Sequence, residues 1–325
     1  MSAPLKFDLP APDIADWRAG NTGTEGVWQF DSGLPGRHVM ISALVHGNEL
    51  CGAWALKGLL EAGVRPQQGC LTLAFCNLAA FDRFDPAQHD AARFVDEDLN
   101  RQWSTERLAT GDSQERQRAR ALAPFVAQAD WLLDIHSMHE PAAPLLLTGM
   151  QTRNLALARL LRSPEYIVVD AGHKDGVRMR DHGRFGEVFE DDSDNDTRSL
   201  LIECGFHGHD SSRLVAQDMC ARFLCAAETL DTAAVQRWLP GWLQADAAQQ
   251  WALDVTGPVV ARSENFRFVE PYQGLEVIAQ AGSLIGWNDD EAVTTPYDDC
   301  VLVMPSSRQA RAGVSVVRFA RRRPL

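Results

Sequence analysis

Through the first three-quarters of the chain, short apolar runs alternate with amphipathic stretches, and that alternation leaves few folds open. A strand followed by a helix that returns its apolar face to the same layer builds a mostly parallel sheet covered by helices. HVMISALV (38–45), LTLAFC (71–76), WLLDI (131–135), residues 145–148, 166–169 and LLI (200–202) read as strands. Residues 49–60 place Leu50, Trp54, Leu56, Leu59 and Leu60 near helical spacing, and 113–129, 154–161 and 211–230 also read as helices. The serines opening the last of these are placed to cap its start.

The texture changes after about Pro240. Residues 251–261, 266–269, 274–279, 300–304 and 314–319 are short β-rich runs separated by Gly, Pro, Asn and Asp, with no helix pattern between them. The expected fold class is therefore α/β: a three-layer αβα domain with a mixed, mostly parallel sheet over residues 1–243. A small all-β barrel or sandwich follows over residues 244–325.

Composition narrows the partners. Acidic residues outnumber basic ones 44 to 31, a net charge of −13, which disfavours a nucleic-acid partner. No apolar run approaches the roughly 20 residues that span a bilayer, and the first residues show no charged-then-apolar signal segment. A cytoplasmic protein without a membrane partner is the expectation; the pattern leaves homo-oligomerisation open. The seven cysteines are scattered and lack any C-x-x-C pair, which reads as reduced, buried thiols. DDSDND (191–196) reads as a solvent loop, because the ligand spacing and distal glutamate of a calcium loop are missing.

Four polar segments follow predicted strands at their carboxyl ends, the edge where open α/β sheets bind ligands. In VHGNE (45–49), His46 ends a strand and Glu49 opens the next helix, with Gly47 permitting a sharp bend between them. One nitrogen and one oxygen donor make half a zinc site, although a capping glutamate beside a surface histidine has the same pattern. In DIHSMHE (134–140), His136 would complete a His/Glu/His set, leaving the fourth zinc position for water. His139 is an alternative ligand three residues on, and Asp134 leans to the face of His136, where it can accept the imidazole's other proton.

Glu203 in LLIECG (200–205) closes an apolar strand, where a carboxylate is costly unless paired, hydrated or functional. Beside activated water it would serve as general base and then as proton donor to the leaving nitrogen. In RFVDEDLNRQW (93–103), Arg101 offers a bidentate fork for a carboxylate, Asn100 an amide donor and Arg93 a second cation. Asp96, Glu97 and Asp98 read as ion-pair partners holding these arginines.

Taken together and in this order, HGNE, DEDLNR, DIHS and IECG resemble the succinylglutamate desuccinylase/aspartoacylase family, the deacylase branch of the zinc carboxypeptidase-like hydrolases. The resemblance implies a zinc-carboxypeptidase-like fold with one zinc per chain, held by His46, Glu49 and His136. It further implies that Glu203 is the catalytic carboxylate, that Arg93 assists catalysis, and that Arg93, Asn100 and Arg101 bind substrate. The implied reaction is hydrolysis of the amide bond of an N-acyl amino acid. The sequence departs from the family where Leu78 follows Asn77 in place of proline, and His139 has no counterpart in its pattern. Arg178, Arg180, Arg184, Arg198, Tyr272 and Tyr297 do not align to specificity contacts.

Two rivals share part of this pattern: a zinc carboxypeptidase or amidopeptidase acting on short peptides in an open groove, and a binding protein that has lost its chemistry. The second is disfavoured because every ligand and the glutamate are present. Phosphate-loop, dinucleotide-turn and serine-elbow motifs are absent. Nothing near Cys204 favours a nucleophilic thiolate.

Overall fold

The computed structural model describes residues 7–172, 175–187, 195–308 and 310–325. Strands β1 (Val27–Asp31), β2 (His38–Ala43), β3 (Cys70–Phe75), β4 (Trp131–Met138), β5 (Leu145–Leu147), β6 (Tyr166–Val169) and β7 (Arg198–Phe206) precede the C-terminal set. That set comprises β8 (Trp251–Val260), β9 (Arg267–Phe268), β10 (Val277–Ile278), β11 (Leu284–Asn288), β12 (Glu291–Thr294), β13 (Cys300–Val303) and β14 (Ser315–Pro324). The α-helices are α1 (Leu50–Glu61), α2 (Leu78–Phe81), α3 (Thr105–Ala109), α4 (Gln114–Gln128), α5 (Thr152–Leu161), α6 (Asp210–Ala226) and α7 (Thr232–Trp238).

One mixed sheet runs β1-β3-β2-β4-β7-β5-β6-β8-β14-β13-β10 among the described residues. Its heart, β3-β2-β4-β7, is parallel, so the chain leaves β2, β4 and β7 at one edge. Alternation along these strands sorts the two faces. Ile41, Leu133, Ile135, Leu200 and Ile202 share one core with buried residues of α1, α5 and α6. Met40 and Leu132 join Ala119, Leu122 and Val126 of α4 in a core on the other face. The expected αβα layering is present. By the same alternation Asp134 and His136 fall on the α4 face and Cys204 on the α1/α6 face.

The C-terminal region is all β, as expected. Its strands β8, β14, β13 and β10 extend the main sheet, because β8 pairs in parallel with β6. Strands β9, β11 and β12 form a second small sheet, and Ile285 of β11 packs on Leu302 and Val317. No helix among the described residues is long and apolar enough to cross a membrane.

Several local expectations need correction. The serines do not cap α6: it starts at Asp210, and the Ser212 hydroxyl donates back to the carbonyl of His209. The helix expected to run to 230 stops at Ala226, because Glu228 takes a left-handed conformation (φ 60°). Helix α7 then restarts, with Asp231 accepting from the Ala234 amide. Within the acidic run 191–196, residues 191–194 lie outside the described residues.

Candidate active site

Strand β2 ends at Ala43, and Leu44 turns the backbone with a φ of 57°. A left-handed leucine costs roughly 1–2 kcal/mol, which the buried surroundings must offset. The turn delivers His46 and Glu49, the latter immediately before α1. Gly47 sits in the bend that the sequence suggested, a turn closed by the Glu49 amide donating to the His46 carbonyl at 3.2 Å, though its φ is not positive. It is a close-approach glycine: a Cβ there would lie 2.4 Å from Ala80 C and Phe81 N and 2.5 Å from the Ala92 carbonyl.

His46, Glu49 and His136 come together, their ligand atoms all within 4.8 Å of one another. His46 Nδ1 lies 2.7 Å from Glu49 Oε1, and His136 Nδ1 lies 2.8 Å from Glu49 Oε2. All three side chains are buried. The far nitrogen of each ring is also held: His136 Nε2 meets Asp134 Oδ2 at 2.9 Å, and His46 Nε2 meets Asp98 Oδ1 at 3.0 Å. A carboxylate on the far nitrogen fixes each imidazole's tautomer with Nδ1 free to ligate. Two imidazoles and one carboxylate are a donor set suited to a divalent transition ion with a place left open. The site fits a metal.

Electrostatics agree. Burial opposes the Glu49 charge, but His46 and His136 hold its carboxyl well below the usual carboxylate range. Burial likewise disfavours protonated His136, yet Asp134 and Glu49 drive its pKa well above the ordinary value. Two carboxylates crowded on one imidazole are what a cation would relieve.

Glu203 lies beside this cluster. It is the register partner of His136 across β4 and β7. Burial, then the charge of Glu49, pushes its carboxyl well above the usual range, with His136 and Arg93 opposing. Its Oε2 is buried and has no hydrogen-bond partner among the described residues. An unpartnered buried carboxylate oxygen needs a reason, and proton transfer supplies one.

The loop bearing Arg93, Asn100 and Arg101 hangs on a residue that sequence reasoning missed. Glu115 of α4, fully buried, accepts from the backbone amides of Val95 (2.7 Å), Asp96 (3.0 Å) and Glu97 (3.1 Å). Asn77 donates to the same carboxylate at 3.0 Å while capping α2, so Leu78 simply begins that helix. Of the three acids expected to hold the arginines, Asp98 does so, 3.1 Å from Arg93 Nη2. Glu97 pairs with Arg116 instead, and Asp96 accepts from the Gln114 amide at the start of α4.

Arg93 Nη1 lies 3.5 Å from Glu49 Oε1. Burial works against its charge, but Asp98 and Glu49 outweigh it and raise its pKa. Asn100 Oδ1 accepts from the Met179 amide at 3.0 Å, which assigns the flip and leaves its amide nitrogen as the donor. Arg101 pairs with Asp175 at 3.2 Å and donates to the Asn100 carbonyl.

The His46/Glu49/His136 cluster, Glu203, Arg93, Asn100 and Arg101 line one cavity of about 680 Å3, to whose wall β8 (Thr256, Pro258) and β14 (Ser315, Arg318) also contribute. Arg318 and the Arg178–Asp170 ion pair (3.1 Å) were not placed in the site by sequence reasoning. A signal for Arg318 existed: an arginine flanked on both sides by apolar residues, Val316 and Val317 before it and Phe319 and Ala320 after it. His139 lines the cavity but stands outside the ligand cluster. Cys204 faces the core, and burial with Cys51 raises its thiol well above the ordinary value. Tyr297 bonds Thr256 in the C-terminal region and does not line the cavity, and neither do Arg180, Arg184, Arg198 or Tyr272.

Comparison with known proteins agrees with the geometry. The profile of the succinylglutamate desuccinylase/aspartoacylase catalytic domain matches residues 35–187. No curated protein matches the sequence closely. Among solved structures, a succinylglutamate desuccinylase from Vibrio parahaemolyticus is 17% identical, with a TM-score of 0.61 over 92% of this chain and 86% of that one. Murine aminoacylase 3 is 18% identical, with a TM-score of 0.58 over 90% of this chain and 97% of its own. The ectoine utilization protein EutE of Ruegeria pomeroyi, solved with product bound, is 17% identical, with a TM-score of 0.58 over 88% of this chain and 85% of its own. At these identities the likeness shows the fold.

Proposed function

We propose, from the match of residues 35–187 to the succinylglutamate desuccinylase/aspartoacylase catalytic domain, that the protein is a zinc-dependent deacylase hydrolysing the amide bond of an N-acyl amino acid. The observation that carries the reading is the meeting, in one cavity, of the His46/Glu49/His136 cluster, the unpartnered Glu203 oxygen and the Asn100/Arg101 pair.

Zinc held by His46, Glu49 and His136 would supply a water of lowered pKa and polarise the scissile carbonyl. Glu203 takes a proton from the attacking water and returns it to the leaving nitrogen; burial and the neighbouring Glu49 charge raise its pKa, which favours its holding that proton in between. Arg93, held by Asp98, turns positive charge toward the oxygen that becomes anionic. Asn100 and the Arg101 fork grip the amino-acid carboxylate, placing the amide against Glu203. Strands β8 and β14 wall the cavity, which suits a small substrate better than a peptide running through an open groove. All seven cysteines are free thiols, in keeping with a reducing, cytoplasmic compartment.

The test is amine release from a panel of N-acyl amino acids and short peptides, with and without a chelator. The reading requires chelator-sensitive release from N-acyl amino acids, and cleavage of peptides alone would replace it with the peptidase.

A further inference from the structure

His139 lines the cavity, yet the deacylase reading leaves it without a task. Its Nε2 lies 3.4 Å from Arg93 Nη1, and its Nδ1 lies 3.1 Å from Asp90 Oδ1 and 3.3 Å from His207 Nε2. A guanidinium only donates, so the Arg93 contact requires an Nε2 without a proton. The proton of a neutral ring then sits on Nδ1, where Asp90 accepts it. His207 completes the pattern. It is fully buried, and burial holds its pKa well below the ordinary value. A neutral His207 can offer Nε2 to the shared Nδ1 proton of His139 while its own Nδ1 meets the Ser137 hydroxyl at 2.8 Å.

The Arg93 end of this chain is contested. Nη2 is fixed by Asp98, but Nη1 stands between His139 Nε2 at 3.4 Å and Glu49 Oε1 at 3.5 Å. Without an acceptor on the His139 side, Nη1 has only the carboxylate of the metal cluster to turn to. The obvious rival, that His139 itself ligates, fails on position, because both of its nitrogens already face other partners outside the cluster.

We infer that His139 is a positioning residue: with Asp90 fixing its tautomer, its Nε2 accepts from Arg93 and holds that guanidinium off Glu49 and toward the substrate. The inference rests on the role proposed for Arg93. It is tested by kcat, KM, metal content and thermal midpoint in His139→Leu, His139→Gln and Arg93→Lys, alone and combined. His139→Leu should keep its metal and a KM within about threefold while kcat falls about 10–100-fold, the usual size for an outer-shell partner. Glutamine, whose Oε1 can accept from Arg93, should restore kcat to within about fivefold of wild type. In the Arg93→Lys background the leucine substitution should add less than about threefold. Fully multiplying losses, no rescue by glutamine, or metal loss in His139→Leu would overturn the inference.

A second readout does not depend on turnover or on a folded leucine variant. Long-range 1H–15N correlation on the wild-type protein should place the His139 proton on Nδ1, and a proton on Nε2 overturns the inference. Absence of deacylation in a metal-loaded protein with the Nδ1 tautomer would instead fault the activity reading.

Discussion

His136 and Glu203 are register partners on the adjacent parallel strands β4 and β7, side by side at the edge where the sheet opens into the cavity. A member of the His46/Glu49/His136 cluster and the carboxylate beside it are thereby fixed by one stretch of backbone ladder. Their separation does not depend on loops.

Glu203→Gln keeps the shape of that side chain and removes its basicity. The variant should hold as much metal as wild type while kcat falls about 10²–10⁴-fold, the size of lost general-base catalysis. Steady-state kinetics with metal analysis reads both, and retained full activity would remove Glu203 from the mechanism.

Asp134 and Asp98 orient the two imidazoles through their far nitrogens. Asp134→Asn should weaken metal affinity about 10–100-fold without abolishing it. Competition against a chelator of known affinity measures this, and an unchanged affinity would mean that the ring needs no such orientation.

Arg101→Lys should raise KM for N-acyl amino acids, since an ammonium cannot reproduce the bidentate fork. The same substitution should leave KM unchanged for an N-acyl amine that lacks the carboxylate. A KM increase on both substrates would place Arg101 elsewhere in the mechanism.

Glu115→Ala strips three backbone amides of their acceptor. Leaving such donors unpaired should cost roughly 3 kcal/mol of stability, and the loop holding Arg93 and Asn100 should loosen with it. Urea denaturation checks the first consequence and KM the second; a variant as stable as wild type would contradict the account of this anchor.

Much of this was legible in the sequence because the signals are short-range. The parity of β4 puts Asp134 and His136 on one face, and the parity of β7 separates Glu203 from Cys204. What lay hidden depends on contacts across the chain. Glu115 looks like an exposed helix residue until the 93–98 loop folds over it. Gly47 reads as a bend, which it is, and only its packing against Ala80 and Ala92 adds that it is also a close approach. Arg318 enters the cavity from β14 because β8 pairs with β6, a pairing that no local pattern announces.

The central claim is one divalent ion shared by His46, Glu49 and His136. Elemental analysis of the purified protein beside His46→Ala, Glu49→Ala and His136→Ala tests it most directly. The account predicts one zinc per wild-type chain and a loss of it in all three variants. A folded wild-type protein without bound metal after zinc loading, or an ion retained in all three, would contradict it.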